Sequence, residues 1–269
     1  MLYLTYTFNI LLLFAMPIAL GIFLVRKFYL EGRWWWIGAI VYILSQIFLI
    51  PLENFLVNPF LNNLSFSGKL PSVEVLIFGG LVLGLCAGIF EELLRYVMFR
   101  WWTKDARSFE SGLLLGTGSG GASSIFLAFL VIYNFVNMAM IRNQDLTTLV
   151  PADQVQILQA QLSAFWSAPW YATFREALGQ LFMLSIEICL AVMVLQTFTR
   201  KQWYWVLLAI GFHTLVEAAR VITVNLSNEA LMYTIQGVFA IISFLIILAL
   251  RHPKAAVSIS ADVSGQPSS

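Results

Sequence analysis

Long continuous apolar runs, not alternation, set the pattern of this chain. Seven runs, approximately 5–25, 35–56, 74–99, 109–139, 174–198, 203–225 and 229–250, contain few charged positions. A bilayer core about 30 Å thick is crossed by roughly 20 apolar residues in a helix. Backbone groups in hydrocarbon must be satisfied within their own segment, so the runs predict seven transmembrane helices. Their continuity excludes a β-barrel, whose strands would alternate. The pattern changes in two places. Residues 140–172 form one long connection. Within it Val155, Leu158, Leu162 and Phe165 recur at helical spacing. Pro151 suits a first helical position, so an amphipathic helix is expected within about 145–170, lying on the outer surface. From about 255 the chain turns to Ser, Ala, Gly and Pro, which predicts a disordered cytoplasmic tail over 255–269. Residues 1–254 read as one helical domain with no convincing internal repeat.

Composition strengthens this reading. Of 269 residues, 60% are hydrophobic and 11% charged. An ordinary soluble domain is about 45–50% apolar and about 25% charged. A soluble domain, a disordered chain and a nucleic-acid binder are excluded. An all-α, polytopic protein of the cell membrane remains, with the lipid bilayer as its first partner. The net charge of +1 names no acidic partner. Cys86 and Cys189 lie in apolar runs and form no disulfide framework.

The basic residues orient the bundle. Arg26, Lys27 and Arg33 follow the first run, and Arg100, Lys104 and Arg107 the third. Arg200 and Lys201 follow the fifth, and Arg251 and Lys254 the seventh. Lys69, Arg142 and Arg175 lie on the other side. The positive-inside rule places the larger group in the cytoplasm, the N-terminus outside and the C-terminus inside. Trp34–Trp36, Trp101–Trp102 and Trp203–Trp205 stand beside the basic groups, as an interfacial aromatic belt would. No basic stretch precedes the first run, which reads as a retained anchor.

Ionisable residues within spans are costly and mark candidate sites. Here they are Glu91, Glu92, Arg95, Glu187, His213, Glu217 and Arg220. Counted from Arg100, Arg107, Arg200 and Lys201, residues Glu91, Ser119, Glu187 and His213 lie roughly 14–20 Å deep at 1.5 Å per residue. Four spans can therefore share one polar layer. Glu92 and Arg95 are three apart and share a helix face, while Glu91 points roughly 100° away. Either this is an ion-paired staple between helices, or one carboxylate pairs with Arg95 and the other meets water, a proton or a metal. His213 and Glu217 are four apart on one face. They could share a metal, or the carboxylate could orient the ring. Arg220 competes for Glu217 as an ion-pair partner. Glu187 has no basic residue within one turn, so it is either neutral or faces the polar layer. Gly116-Thr117-Gly118-Ser119-Gly120-Gly121 has no βαβ context for a nucleotide loop. It reads as a close-packing seam between helices. A serine nucleophile would have only His213 as its base.

These motifs resemble those of the YhfC-type intramembrane metalloproteases, a family related to the CAAX prenyl protease and bacteriocin-processing superfamily. The resemblance covers roughly residues 75–225. Glu91, Glu92 and Arg95 match an EExxR motif. That motif implies carboxylates that activate a water and an arginine that orients them. The glycines from Gly116 to Gly121 match a GxGHGGxE-like stretch, whose histidine falls on Ser119 and whose glutamate falls on Ser123. Another family histidine falls on Met183. An upstream Glu-Arg pair falls on Arg175-Glu176 in reversed order. His213 and Glu217 match the last motif, and Ser167-Ala168-Pro169-Trp170-Tyr171 resembles the segment before the next span.

The resemblance implies a divergent metalloprotease-like protein that acts on membrane-protein or peptide substrates through a divalent, zinc-type metal. Glu91 or Glu92 would be the general base. His213 would be a ligand, joined by Glu217 and Glu187, and Arg95 would position a carboxylate or the oxyanion. Substitution at Ser119, Ser123 and Met183 instead suggests a degenerate relative that binds membrane segments or serves as a scaffold. A small transporter or proton relay is the third reading, although no inverted repeat supports it.

Overall fold

The computed structural model describes residues 1–66, 72–226 and 228–251, and every regular element in them is helical. In chain order these are α1 (Leu2–Phe28), α2 (Arg33–Leu52), α3 (Asn58–Phe66), α4 (Ser72–Trp101), α5 (Phe109–Ile141), α6 (Val155–Ser167), α7 (Arg175–Thr199), α8 (Tyr204–Asn225) and α9 (Glu229–Leu250). A π-helical turn, Glu53–Val57, carries α2 into α3. Seven helical segments are long and apolar enough to cross a membrane, and each contains one of the expected runs. Lys69, Lys254 and the expected tail over 255–269 lie outside the described residues.

The bundle is built around α5 and α7. α1 and α2 both pack along α5, and α7 packs against α5, α8 and α9. α8 is paired most extensively with α4. In α7, 67% of the apolar window is buried, so this helix is central and any polar residue on it must find a protein partner.

Small residues set the closest approaches. A Cβ added to Gly84 of α4 would lie 2.5 Å from the Thr214 carbonyl oxygen of α8. One added to Gly116 of α5 would lie 2.5 Å from Ile188 Cα of α7. Neither contact survives a side chain, so glycine lets these backbones touch. The glycine-rich stretch therefore does what the packing reading expected.

Polar side chains repair the backbone where helices break or end. Pro17 has no N–H for the Leu13 carbonyl, and Ser124 Oγ of α5 donates to that oxygen at 2.7 Å. Arg107 donates to the Phe99 and Thr103 carbonyls at 2.6 and 2.7 Å, closing the end of α4. Ser108 then caps α5 by accepting from Ser111 N–H at 3.1 Å.

The long connection holds a shorter helix than the spacing predicts. Pro151 does not open α6. It begins a turn in which Gln154 N–H donates to its carbonyl at 2.9 Å, and the helix starts at Val155. Val155, Leu158, Leu162 and Phe165, with Trp166, are its half-buried positions. Phe165 stacks on Tyr6, and Trp166 meets Tyr3 and Phe135, so α6 rests on the start of α1 and the end of α5.

Candidate functional site

α4 presents two adjacent carboxylates in different directions, because successive helical residues are rotated by about 100°. Glu92 points into the bundle. Its two oxygens accept from Arg95 Nη1 at 2.7 and 2.6 Å, and its Oε1 pairs with Nδ1 of His213 on α8 at 2.8 Å. Arg95 Nη2 donates to Glu187 Oε2 on α7 at 2.6 Å and to Ser119 Oγ on α5 at 3.1 Å. Ser119 donates in turn to Glu187 at 2.8 Å. Four helices thus meet in one network around a single guanidinium. Glu92 is fully buried and Arg95 is 2% exposed, so these charges are compensated by one another. The basic partner of Glu187, which its own helix lacks, comes from α4. Of the two possibilities for Glu187, the structure takes the one that faces the polar layer.

Glu91 turns the other way. Its Oε1 accepts from Gln46 Nε2 of α2 at 3.0 Å. Glu91 also lines a cavity of about 440 Å³ that Glu187 and His213 reach as well. The cavity begins where α2 and α8 end and α7 begins. Glu53, Arg175, Glu176 and Arg220 stand at that end. The Arg220 side chain is 47% exposed and pairs with Glu217 at 2.7 Å, while Arg175 pairs with Glu229. The polar layer is therefore connected to one end of the bundle. Ser123 and Met183 line the same cavity. Neither Glu92 nor Arg95 is on its wall. Arg95 is set to hold Glu92 and Glu187.

Several contributing residues escape a search restricted to charged positions in mid-span. Gln46 holds Glu91, and Gln180 Nε2 donates to Ser123 Oγ at 3.2 Å. Gln236 lines the cavity, and its Oε1 has no partner among the described residues. Asn9 of α1 accepts from the Ala177 N–H at 3.2 Å and ties α1 to the start of α7. The available signal was an amide in an apolar run, which hydrocarbon penalises much as it does a charge. Glu53, near the end of the second run, also carried a readable signal.

The expected metal ligands do not converge. Glu217 is engaged by Arg220, Glu187 by Arg95 and Ser119, and Glu92 by Arg95 and His213. What remains for a metal is Glu91, the second nitrogen of His213 and the other oxygen of Glu187. A zinc site needs three or four protein ligands. The guanidinium already engages one oxygen or more of both Glu92 and Glu187, the carboxylates that a divalent cation would draw on. Among the described residues, no group of three or more His, Cys, Asp or Glu is arranged to hold an ion. This donor set does not fit a resident metal.

Comparison with known proteins defines the lineage of this site. A family model described as YhfC intramembrane metalloprotease matches residues 12–243. A protein described as "Uncharacterized membrane protein YhfC", from Bacillus subtilis (strain 168), is 25% identical over 212 residues. That match covers 78% of this chain and 80% of the relative. No solved structure matches. With its seven apolar helices and its Glu-Glu-x-x-Arg and His213 network on α4 and α8, this chain belongs to the YhfC intramembrane metalloprotease family.

Proposed function

We propose that this protein is an intramembrane hydrolase that cleaves peptide bonds in membrane-protein segments without a resident metal. One observation carries the reading: His213 lines a cavity that leads to the end of the bundle, while its Nδ1 is held on Glu92 at 2.8 Å. A carboxylate partner keeps the proton on Nδ1 and leaves the Nε2 lone pair as the base. Water entering the cavity gives a proton to Nε2 as its oxygen attacks the peptide carbonyl. The same proton then passes to the leaving amine. Glu91, held by Gln46, adds a carboxylate on the same wall to orient the water. Arg95 acts through Glu92 and is a positioning residue.

The test uses the full chain in liposomes with quenched-fluorescent transmembrane peptides. His213→Ala and Glu91→Gln are each expected to slow turnover by about 10²–10⁴-fold, the usual scale for a general base. Glu91→Gln should melt near the wild type, whereas His213→Ala takes a buried partner from Glu92 and its turnover is compared per folded protein. Turnover should also survive chelation. Loss on chelation with recovery on added zinc would overturn the metal-free mechanism. A second reading is favoured by Ser119, Ser123 and Met183 at the positions where the family resemblance expects ligands. The same cavity would then hold a membrane segment uncut. Peptide retained by the wild type with no turnover would select that reading.

A further inference from the structure

A second recess lies on the opposite end and face of the molecule. α1 and α2 pack side by side on α5 and meet one another where Trp35 rests on Gly21. They leave an apolar groove of about 500 Å³ between them. Ile18, Ile22 and Val25 form one wall, Trp35 and Trp36 the other, and Ile125 of α5 the floor. The groove ends at Arg26. A shallower recess on the neighbouring face of α1 shares Ile22 and Arg26 and adds Phe23 and Lys27. Two apolar channels therefore meet at one basic pair.

The groove also contains an unmet polar group. Trp35 is 9% exposed, and its Nε1 has no partner among the described residues. Gly21 lets the indole edge pack against α1, since Trp35 Cδ1 and Nε1 lie 2.7 and 2.9 Å from where a Cβ would stand. Gly21 is about 7.5 Å from Arg26 along the helix axis. Among the described residues Arg26 makes no ion pair, and Lys27 rests on the Phe23 ring, 5.0 Å from its centroid. By contrast, the nearby Arg33 is already paired with Glu31 and Asp105.

We infer that this groove is a specific site for one anionic phospholipid. The phosphate lies on Arg26 and Lys27. The acyl chains lie in the two channels on either side of Ile22. Charge complementarity selects an anionic headgroup.

Native mass spectrometry of the intact protein tests this, with phosphatidylglycerol and phosphatidylcholine competing in mixed micelles. The wild type should retain one phosphatidylglycerol in preference to phosphatidylcholine. Arg26→Gln/Lys27→Gln should reduce that preference about ten- to thirty-fold, the scale for two basic groups near a membrane surface. Ile18→Trp fills the groove without altering charge and should also abolish retention. Arg100→Gln/Lys104→Gln removes two charges at the same end of the bundle and should leave retention unchanged. Excess inorganic phosphate should not displace the lipid. Equal loss in the Arg100/Lys104 variant would show a general surface potential and overturn the site. So would unchanged retention after Ile18→Trp, or an absence of headgroup preference in the wild type.

Discussion

Arg95 holds the polar layer together because one planar fork serves three partners. It pairs with Glu92 at 2.6 Å, with Glu187 at 2.6 Å and with Ser119 at 3.1 Å. A lysine is a point charge on a flexible stem and cannot span two carboxylates on different helices in this way. Removing one partner of a buried ion pair costs about 3–5 kcal/mol, because the others remain buried and uncompensated. Arg95→Met strands two carboxylates and is expected to fall in that range. Arg95→Lys should lose less, since it keeps the charge and surrenders only the fork. Glu187→Gln keeps the shape of the side chain and should cost less than Arg95→Met. Thermal unfolding in one detergent orders the three variants. A wild-type melting temperature for Arg95→Met would mean that the network does not hold the helices. The residue scale also shows what the sequence could specify. Three-residue spacing placed Glu92 with Arg95 on one face, and the pair forms. Spacing alone could not tell which carboxylate meets His213. That choice depends on the rotation of α8 against α4, which is set by packing between distant segments.

The α4–α8 pair shows how an element fixes the site. Gly80, Gly84 and Gly88 follow one another at four-residue spacing on α4, a repeat visible in the sequence but overshadowed by the denser glycine run of α5. Gly88 brings α4 against α8 at His213, with a would-be Cβ 3.5 Å from the His213 Cβ. The seam is thus what puts His213 within reach of Glu92. Overpacking a close helix contact costs about 1–3 kcal/mol, and more where the opposing atom is backbone. Gly84→Val should therefore destabilise the protein by at least this amount and also lower peptide turnover, by displacing His213. Gly211 on α8 has nothing within 4 Å of a would-be Cβ. Gly211→Ala should be neutral, or stabilising by about 0.5–1 kcal/mol through helix propensity. Melting curves of the two variants separate a seam from mere glycine content. If both variants melt alike, close approach at Gly84 is not what joins α4 to α8. Ser124 offers a further check. Ser124→Ala leaves the Leu13 carbonyl freed by Pro17 without its donor, at a cost of about 1–3 kcal/mol.

For the whole molecule, the seven helices were legible because a bilayer imposes one length and one composition on every span. The site was legible only in part. Its charged members stood out against apolar runs, but Gln46, Gln236 and Asn9 carry no charge, and the connecting cavity belongs to no single segment. The cavity raises the question of which side of the membrane supplies water. Its mouth lies among Glu53, Arg175 and Arg220, at the end opposite the basic groups that follow α1, α4 and α7. The positive-inside rule assigns those basic groups to the cytoplasm. On that assignment the mouth would open outside the cell, and under the proposed function water and the unwound part of a substrate segment would enter from there. Single cysteines test this in a Cys86→Ala/Cys189→Ala background. Asp153→Cys lies in the exposed connection at the mouth end, and Lys104→Cys in the exposed turn between α4 and α5. A membrane-impermeant maleimide should label Asp153→Cys in intact cells and Lys104→Cys only after permeabilisation. The reverse pattern would turn the bundle over and make the cytoplasm the source of both water and substrate. The geometry at His213 would stand, but the segments able to reach it under the proposed function would be cytoplasmic rather than exported ones.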